Sequence, residues 1–491
     1  MPIQITNTLT GKKEPLTPMV PGQISLYVCG PTVYGYTHVG NARPAIFFDV
    51  ARRFLEMSGF QVKLVSNFTD VDDKIINRAR EEKTSSQAIS EKFTAAFIQD
   101  RTRMGVRPPT ISPKVTESIP EIIQLIELLI QNGAAYVTTD GEVFYSVRKF
   151  SDYGKLSKKR LDDLRVGVRI DPNEKKADPL DFSLWKPQKA PDEPAWDSPW
   201  GKGRPGWHIE CSAMAIRHLG ETFDIHGGGL DLIHPHHENE IAQSEGATKK
   251  PFAHYWLHNN MINMGDEKMS KSLGNIFLNK DFMDRYSPEV LRFLILSGHY
   301  RSPIDFSTKH IQECQQALHR FYSASRRIHA AAETGGAAAQ SPELTALKEF
   351  ASGFETAWVK AMEDDFNSAK VVGIVFEYVR FANGVFDQKK FKPSNDSQAL
   401  AKGFLSHFQK LGDVLGLFSQ NPSTFLSDLK GRIAAERGLK PVEIEALLDK
   451  RNEARANKDY AASDAIRKDL MARGVEIRDT SQGSEWDVIF S

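Results

Sequence analysis

The sequence predicts an α/β protein: a Rossmann-like parallel-sheet domain carrying an insertion, followed by an α-helical bundle and a small C-terminal α+β unit. Three observations lead there. A strand, a loop, a helix and a second strand follow one another between Ile24 and Val65. The composition turns to Pro, Trp and charge ahead of residue 206, where Gly-rich apolar sequence returns. Beyond residue 307, apolar residues recur almost throughout at helical spacing, until a short strand close to the end.

Ile24-Ser25-Leu26-Tyr27-Val28 reads as a buried strand ending at Cys29-Gly30-Pro31. After the loop Thr32–Asn41, the residues Ile46, Phe47, Val50, Phe54 and Leu55 fall on one helix face. Asn41 is the expected N-cap, with Pro44 in the first turn, where amides have no intrahelical partner. Gly59 ends this helix, and Val62–Val65 is the next strand. Such a unit closes as a parallel, right-handed crossover, and sheets of this kind bind ligands at the carboxyl ends of their strands. The loop carries no G-x-G-x-x-G, so it is not the usual dinucleotide fingerprint.

Ile122–Ile130, interrupted by Gln124 and Glu127, reads as an amphipathic helix, and Ala135–Tyr145 as a hairpin. With Asp171–Pro205 they form an insertion between two halves of the sheet. The later helices are separated at Gly335–Ala339 and Lys392–Asp396, as in an up-down bundle. Asn421–Thr424 is a further linker, leading to helices over Val442–Lys458 and Ala461–Ala472 and a strand at Val475–Ile477. The expected boundaries are 1–117 and 206–307 for the halves of the sheet domain, 118–205 for the insertion, 308–420 for the bundle and 421–491 for the terminal unit.

The chain has 491 residues, enough for several domains, and its 63 basic side chains balance 63 acidic ones. No global field therefore points to nucleic acid, although a local basic surface would suffice to bind it. The N-terminal segment lacks the apolar core of a secretory signal, and no run reaches membrane-spanning length. Three cysteines, Cys29, Cys211 and Cys314, make no disulfide framework and suit a reducing compartment. The expectation is a soluble, cytoplasmic protein.

Two loops carry charge-handling chemistry. The first ends in Thr37, His38, Gly40 and Asn41 at the start of a predicted helix, where free amides and the helix dipole suit a phosphate. His38 adds a donor, and Gly40 permits close backbone approach. The second is Lys268-Met269-Ser270-Lys271-Ser272, whose two lysines can neutralise charge moving onto a leaving pyrophosphate. Together the loops resemble the two signatures of class I aminoacyl-tRNA synthetases. Asn41 replaces the second histidine of the first signature, which matches the cysteinyl subfamily. Cys29-Gly30-Pro31-Thr32-Val33-Tyr34 and Asn67–Lys74 match it as well, and the resemblance covers essentially the whole chain.

His236 and Glu240 are four apart, so a helix would set both on one face, and both are zinc-type donors. Spacing does not join a cysteine to them. The resemblance does, implying Cys29, Cys211, His236 and Glu240 as ligands of one Zn²⁺, with both cysteines in loops near strand ends. His234 and His237 compete for the imidazole role, and His226 is a candidate pocket residue. On the residues alone, Cys29 reads equally as a buried strand-end thiol and the histidines as a solvated cluster. The pattern His-Glu-x-x-His does not occur, which argues against a metalloprotease. Zinc has a purpose in this family, because apolar pockets separate cysteine from serine poorly whereas a borderline-soft metal prefers a thiolate.

The resemblance further implies Gly30, Thr69 and Trp207 around the cysteine. It makes Asp231, after Gly227-Gly228-Gly229, an acceptor for the ribose of ATP; the glycines also read as a tight turn. Lys268, Lys271 and Mg²⁺ would attend the phosphates. From Asp449 to Arg473 seven basic residues face five acidic ones, by default a solvated helix face. The resemblance places anticodon recognition there, with Trp486 stacking on a base and Arg478 or Asp479 reading base edges. The implied activity is ATP-dependent activation of L-cysteine and its transfer to tRNA(Cys) by a monomer. Two rivals remain. One is the related cysteine ligase of mycothiol synthesis, which lacks the helical C-terminal third. The other is a synthetase-like RNA-binding protein without catalysis, against which the intact lysines and ligand set argue.

Overall fold

The computed structural model describes residues 2–161, 175–264, 267–268, 277–337, 340–388, 391–480 and 483–490. It divides into two compact units. The first comprises Met1–Asn279, Gly298–Ile304 and Lys360–Ala369. It opens with a hairpin of β1 (Gln4–Asn7) and β2 (Lys12–Pro15). The crossover unit follows as β3 (Gln23–Val28), α1 (Val39–Met57) and β4 (Gln61–Val65), with β3 and β4 parallel.

Helix α1 begins earlier than the sequence suggests. Its N-cap is His38, whose ring accepts from the Gly40 amide, while the Asn41 side chain accepts in return from the His38 amide. Asn41 thus closes a reciprocal capping box from inside the helix instead of starting it, because an imidazole nitrogen can do what a hydroxyl usually does. A Cβ at Gly40 would lie 2.9 Å from the His38 ring, so the cap requires glycine there.

Helices α2 (Asp73–Glu82), α3 (Ser86–Arg103) and α4 (Ile119–Gln131) lead into the insertion. The strands β5 (Ala135–Val137), β6 (Val143–Tyr145), β7 (Phe182–Pro187) and β8 (Gly203–Pro205) form an antiparallel sheet in that order. The stretch 162–174, which includes the start of the expected Pro- and Trp-rich segment, lies outside the described residues. At Gly206 a Cβ would sit 2.0 Å from the Ser183 carbonyl oxygen, so only glycine lets β8 run this close to β7. Gly206 then caps α5 (Trp207–Leu219).

Strand β9 (Phe223–Gly229), helix α6 (Glu238–Thr248) and strand β10 (Ala253–Asn259) complete the central sheet, which is parallel throughout in the order β10-β9-β3-β4. A short hairpin, β11 (Ile262–Met264) with β12 (Glu267–Lys268), follows. The chain adds β4 on one side of β3 and β10 beyond β9 on the other. The crevice between β3 and β9 is therefore the topological switch point where such sheets bind ligands. Helix α1 packs across it closely: a Cβ at Gly227 would lie 2.2 Å from the Phe48 ring.

Buried Arg43 of α1 is 1% exposed and donates to the carbonyls of Met261, at 2.5 Å, and of Tyr300, at 3.0 Å, with a further bond to Ser302. Burial lowers its pKa to about 10, so it stays charged at neutral pH. Arg43→Met keeps the volume and orphans several buried carbonyls. It is expected to cost about 3 kcal/mol or more, read as a lowered denaturation midpoint.

The second unit comprises Lys280–Ser297, Asp305–Val359 and Lys370–Ser491. Its helices are α7 (Asn279–Arg285), α8 (Pro288–Ser297), α9 (Thr308–Glu333), α10 (Pro342–Glu363), α11 (Ser368–Phe386), α12 (Asn395–Leu415), α13 (Pro422–Glu436), α14 (Pro441–Ala456) and α15 (Tyr460–Ala472). Aromatic rings fill the core, among them Phe321, Tyr322, Phe354, Tyr378, Phe404 and Phe408. Its buried carboxyl, Glu289, accepts from the Tyr322 hydroxyl, the Phe418 amide and the Gln420 side chain, and burial pushes its pKa up. A separate small core of Leu439, Ile444, Leu448, Leu470, Val475 and Ile477 supports the terminal strands β13 (Val475–Thr480) and β14 (Gly483–Val488). They pair antiparallel, Ile477 opposite Trp486. The terminal unit thus has a second strand, Gly483–Val488, where the sequence suggested only one. Among the described residues no helix is long and apolar enough to cross a membrane.

Candidate metal centre and active site

Cys29 follows the last residue of β3, at the switch point. Cys211 lies on α5 and not in a loop as expected, since Gly206 starts that helix directly after β8. Beyond β9 the chain makes a 3₁₀ turn, Leu230–Leu232, then a wide turn, Ile233–His237, and enters α6. That sets His236 beside Glu240, Nε2 to Oε1 3.0 Å apart. The donor atoms of Cys29, Cys211, His236 and Glu240 all lie within 4.8 Å of one another. The two sulfurs are 3.7 Å apart, and Cys29 Sγ is 3.3 Å from Glu240 Oε1.

A second group shares two of these donors. Cys29, His226, His237 and Glu240 also meet within 4.8 Å, with His237 Nε2 at 3.4 Å from Cys29 Sγ. The two extra histidines are already engaged. His226 Nε2 is 2.8 Å from the other Glu240 oxygen, and Trp256 stacks on its ring. His237 Nδ1 is 2.8 Å from His258 Nε2, and His258 Nδ1 is 2.8 Å from the Thr8 hydroxyl. Such contacts orient ligands from outside in metal sites. His234 joins neither group.

The cluster's electrostatics suit a cation. Burial pushes the Cys29 thiol well up, while its hydrogen bond draws Cys211 down to about 6. Burial works against charge on His236, but Glu240 and Cys211 outweigh it and hold the ring at about 10. The same histidines, His226 first, hold Glu240 well below the usual carboxylate range despite its burial.

Next to the sulfurs is a hydrogen-bonded chain. The Gly30 amide donates to Asn67 Oδ1 at 2.9 Å, Asn67 Nδ2 donates to Thr69 Oγ1 at 3.3 Å, and Thr69 Oγ1 donates to Glu210 Oε2 at 2.9 Å. A Cβ at Gly30 would fall 1.6 Å from the Asn67 carbonyl oxygen, so no other residue fits. Trp207 is 40% exposed and stacks on His236 with centroids 4.3 Å apart. Asn67 and Glu210 were not singled out from the sequence. Asn67 lay inside a quoted motif and Glu210 beside a quoted cysteine, but nothing local indicates that each faces Thr69.

The phosphate-loop residues are held together too. Thr37 Oγ1 donates to buried Asp100 at 2.7 Å and accepts from Asn279 Nδ2 at 3.0 Å. His38 bridges to Leu278, and the Val39 amide donates to the Phe277 carbonyl at 3.0 Å. The histidine loop is thereby tied to the residues just after the lysine-rich pentamer. Lys268 lies on β12 opposite Asn263; Lys271 lies outside the described residues. Asp231 is exposed in the turn after β9. The preceding glycines make room for the protein itself, since a Cβ at Gly228 would lie 2.9 Å from the His237 ring.

Residues 15–316 match the family model described as the tRNA synthetases class I (C) catalytic domain. A cysteine–tRNA ligase of Geobacter metallireducens is 50% identical over 488 residues, covering 99% of this chain and all of the relative. The chain belongs to the cysteine–tRNA ligase family. A relative of the same description from Nitratidesulfovibrio vulgaris is 47% identical over 99% of this chain and all of its own length. The methionyl-tRNA synthetase of Mycobacterium tuberculosis shares the fold, with a TM-score of 0.60 at 13% identity over 83% of this chain and 94% of that one. Class I synthetase architecture is thus established for an α/β chain with a parallel sheet and a helical C-terminal region.

Two further matches lie in the second half: a DALR domain at 357–419 and a cysteinyl-tRNA ligase anticodon-binding domain at 439–486. In the latter, Asp479 takes two bonds from nearly buried Arg451, at 2.8 and 3.0 Å, and one from Arg455 at 2.6 Å. The Arg451 hydrogen bond draws the Asp479 carboxyl well down. Arg478 pairs with Glu476 at 2.9 Å. Half-buried Trp486 lies under the Lys430 ammonium, 4.9 Å from the ring centroid. All three candidate base-reading residues thus have partners within the terminal unit, where Asp479 joins β13 to Arg451 and Arg455 of α14.

Proposed function

We propose that the chain activates L-cysteine with ATP and Mg²⁺ and transfers it to tRNA(Cys), with one Zn²⁺ held by Cys29, Cys211, His236 and Glu240. The observation that carries this reading is the meeting of those four donors, from three separate stretches of chain, at the β3–β9 switch point beside Thr69 and Trp207. Two thiols with an imidazole and a carboxylate fit zinc in number and type. Bound there, zinc supplies a soft ligation point that holds a thiolate far better than a hydroxyl, which selects cysteine over serine.

The remaining chemistry belongs to the chain. Gly30, Thr69 and Trp207 hold the amino acid so that its carboxylate faces the ATP α-phosphorus. The α1 N-terminus, with Thr37, His38, Gly40 and Asn41, receives the phosphate charge, and Asp231 accepts from the ribose. As the carboxylate attacks in line, Lys268 and Lys271 balance the charge that leaves with pyrophosphate. The 2′-hydroxyl of the terminal tRNA adenosine then attacks the adenylate carbonyl, and AMP departs. Positioning and electrostatics supply the rate, with no covalent enzyme intermediate. We assign the tRNA stem to residues 308–420 and the anticodon to 421–491, with Arg478, Asp479 and Trp486 at or near the bases, acting as a monomer in the cytoplasm.

The test is cysteine transfer by the purified protein. Esterification of tRNA(Cys), dependent on ATP and indifferent to added amino sugar, is the expected result. Transfer only to the amino sugar would assign the chain to the mycothiol branch, and no transfer to either would leave it an RNA-binding relative.

A further inference from the structure

We infer that the second unit holds a pocket for one unpaired nucleotide, whose base enters between α7, α9 and α13 and whose phosphate rests at the start of α9. The inference deepens the proposed reading, in which this unit receives tRNA. A cavity of about 380 Å³ opens there, a size usual for small-molecule sites. Its walls come from the end of α7, the first turns of α9, the end of α13 and the carboxyl-terminal tail, all within the second unit.

Helix α9 sets the chemistry of the interior. Thr308, Gln312 and Gln315 recur at helical spacing and share the face that lines the cavity. Gln315 is 1% exposed, yet its Nε2 has no hydrogen-bond partner. A buried amide left so is costly to the fold; Gln420 of the same unit, by contrast, donates to Glu289 at 2.6 Å. A primary amide offers a donor and an acceptor side by side, the pattern that reads the edge of a base. Tyr286, Ile433 and Phe490 add the apolar and aromatic walls on which a base packs.

Charge marks the rim. Both acids that line the cavity are already matched: Glu436 accepts from Arg285 at 2.7 Å, and Glu313 lies 3.2 Å from the His310 ring. Two cations are not. Lys309 has no ion pair among the described residues, and Arg437 donates to the main-chain carbonyls of Gly474 and Ile489, at 2.5 and 2.6 Å, instead of to a carboxylate. Ser307 caps α9 by accepting the His310 amide at 3.2 Å, while the amides of Thr308 and Lys309 have no partner inside the helix. That end of α9 suits a phosphate. A base inside and a phosphate at the rim make a nucleotide, either an unpaired residue of the tRNA or a free 5′-mononucleotide.

The experiment measures binding of a tRNA(Cys) transcript at several salt concentrations, and of each of the four 5′-mononucleotides by equilibrium dialysis, to the full chain and to its Gln315→Leu and Lys309→Ala variants. Gln315→Leu is expected to weaken binding by about 5- to 100-fold, the worth of a good base contact. Its salt dependence should stay the same, and its denaturation midpoint should hold or rise, because an orphan buried amide has gone. Lys309→Ala should weaken tRNA binding and flatten the dependence of log K on log salt by about one phosphate contact. Loss confined to tRNA makes the occupant an unpaired residue of the RNA, and loss for a mononucleotide as well makes it a free nucleotide; both support the pocket. Unchanged binding of all ligands by Gln315→Leu overturns it, and so does a loss seen in Lys309→Ala alone, which would mark a plain backbone contact on the helix surface. Should Gln315→Leu fail to fold, Phe490→Ala decides in its place: a loss of about 5- to 100-fold, the worth of base–aromatic contact, supports the pocket, and unchanged binding refutes it. Wild-type protein that does not bind tRNA(Cys) would instead defeat the proposed function, and the mononucleotides would then decide the pocket alone.

Discussion

Cys211→Ala is expected to yield a folded protein without bound zinc and without cysteine-dependent pyrophosphate exchange. Removing a partner outside the ligand shell of a metal costs about 10- to 100-fold in affinity, and losing a ligand itself should exceed that. The fold should survive, because Glu240 keeps its bonds to His226 and His236 when the sulfur is gone. Residual activity should also lose its preference for cysteine over serine. The variant discriminates further, because Cys211 and His236 belong to one donor group and His226 and His237 to the other. Elemental analysis should find zinc lost in Cys211→Ala and His236→Ala and kept in His237→Gln, with circular dichroism as the check on folding. Zinc retained in Cys211→Ala but lost in His237→Gln would move the metal to the other group. The first outcome is expected because His237 is already committed to His258, and because two sulfurs outbid one for a borderline-soft ion.

How far the sequence foretold this site depends on the range of the interactions that build it. The β3–α1–β4 unit was legible because strand and helix periodicities are local and Gly59 marks the turn between them. His236 and Glu240 were legible as a pair for the same reason. Joining Cys29 and Cys211 to them required knowing that β9 lies against β3, a contact between segments about two hundred residues apart that no local pattern encodes. The helix-start error at Asn41 was one of capping chemistry: histidine is an unusual cap, and only the folded geometry shows its ring accepting the Gly40 amide. The break between α10 and α11 had no glycine or proline to announce it. It is held at Asp365, whose carboxylate accepts from the Thr6 amide at 2.8 Å and the Tyr300 hydroxyl at 2.7 Å, and whose φ is 63°. Glu210 is the same case beside the cluster, a buried residue whose hydrogen-bond partner Thr69 is 141 positions away.

Lys271→Ala should slow adenylate formation by about 10²- to 10³-fold, the usual cost of removing one group that stabilises charge developing in a transition state, while leaving zinc content untouched. The expectation follows from where the charge goes. The triphosphate keeps its total charge as the bond breaks, but charge moves onto the departing pyrophosphate, so a cation placed there gains more in the transition state than in the ground state. The loss should therefore fall on the single-turnover rate more than on KM for ATP. Phe277 and Leu278, which follow the pentamer in the sequence, pair with the histidine loop through backbone contacts that do not involve the Lys271 side chain. Normal exchange in this variant would show that the lysine does not touch the nucleotide. Exchange lost together with zinc would show that it acts through the fold. Only loss of rate with the metal intact fits a direct role, and that pattern is the reverse of the one expected for Cys211→Ala, in which activity disappears because the metal does.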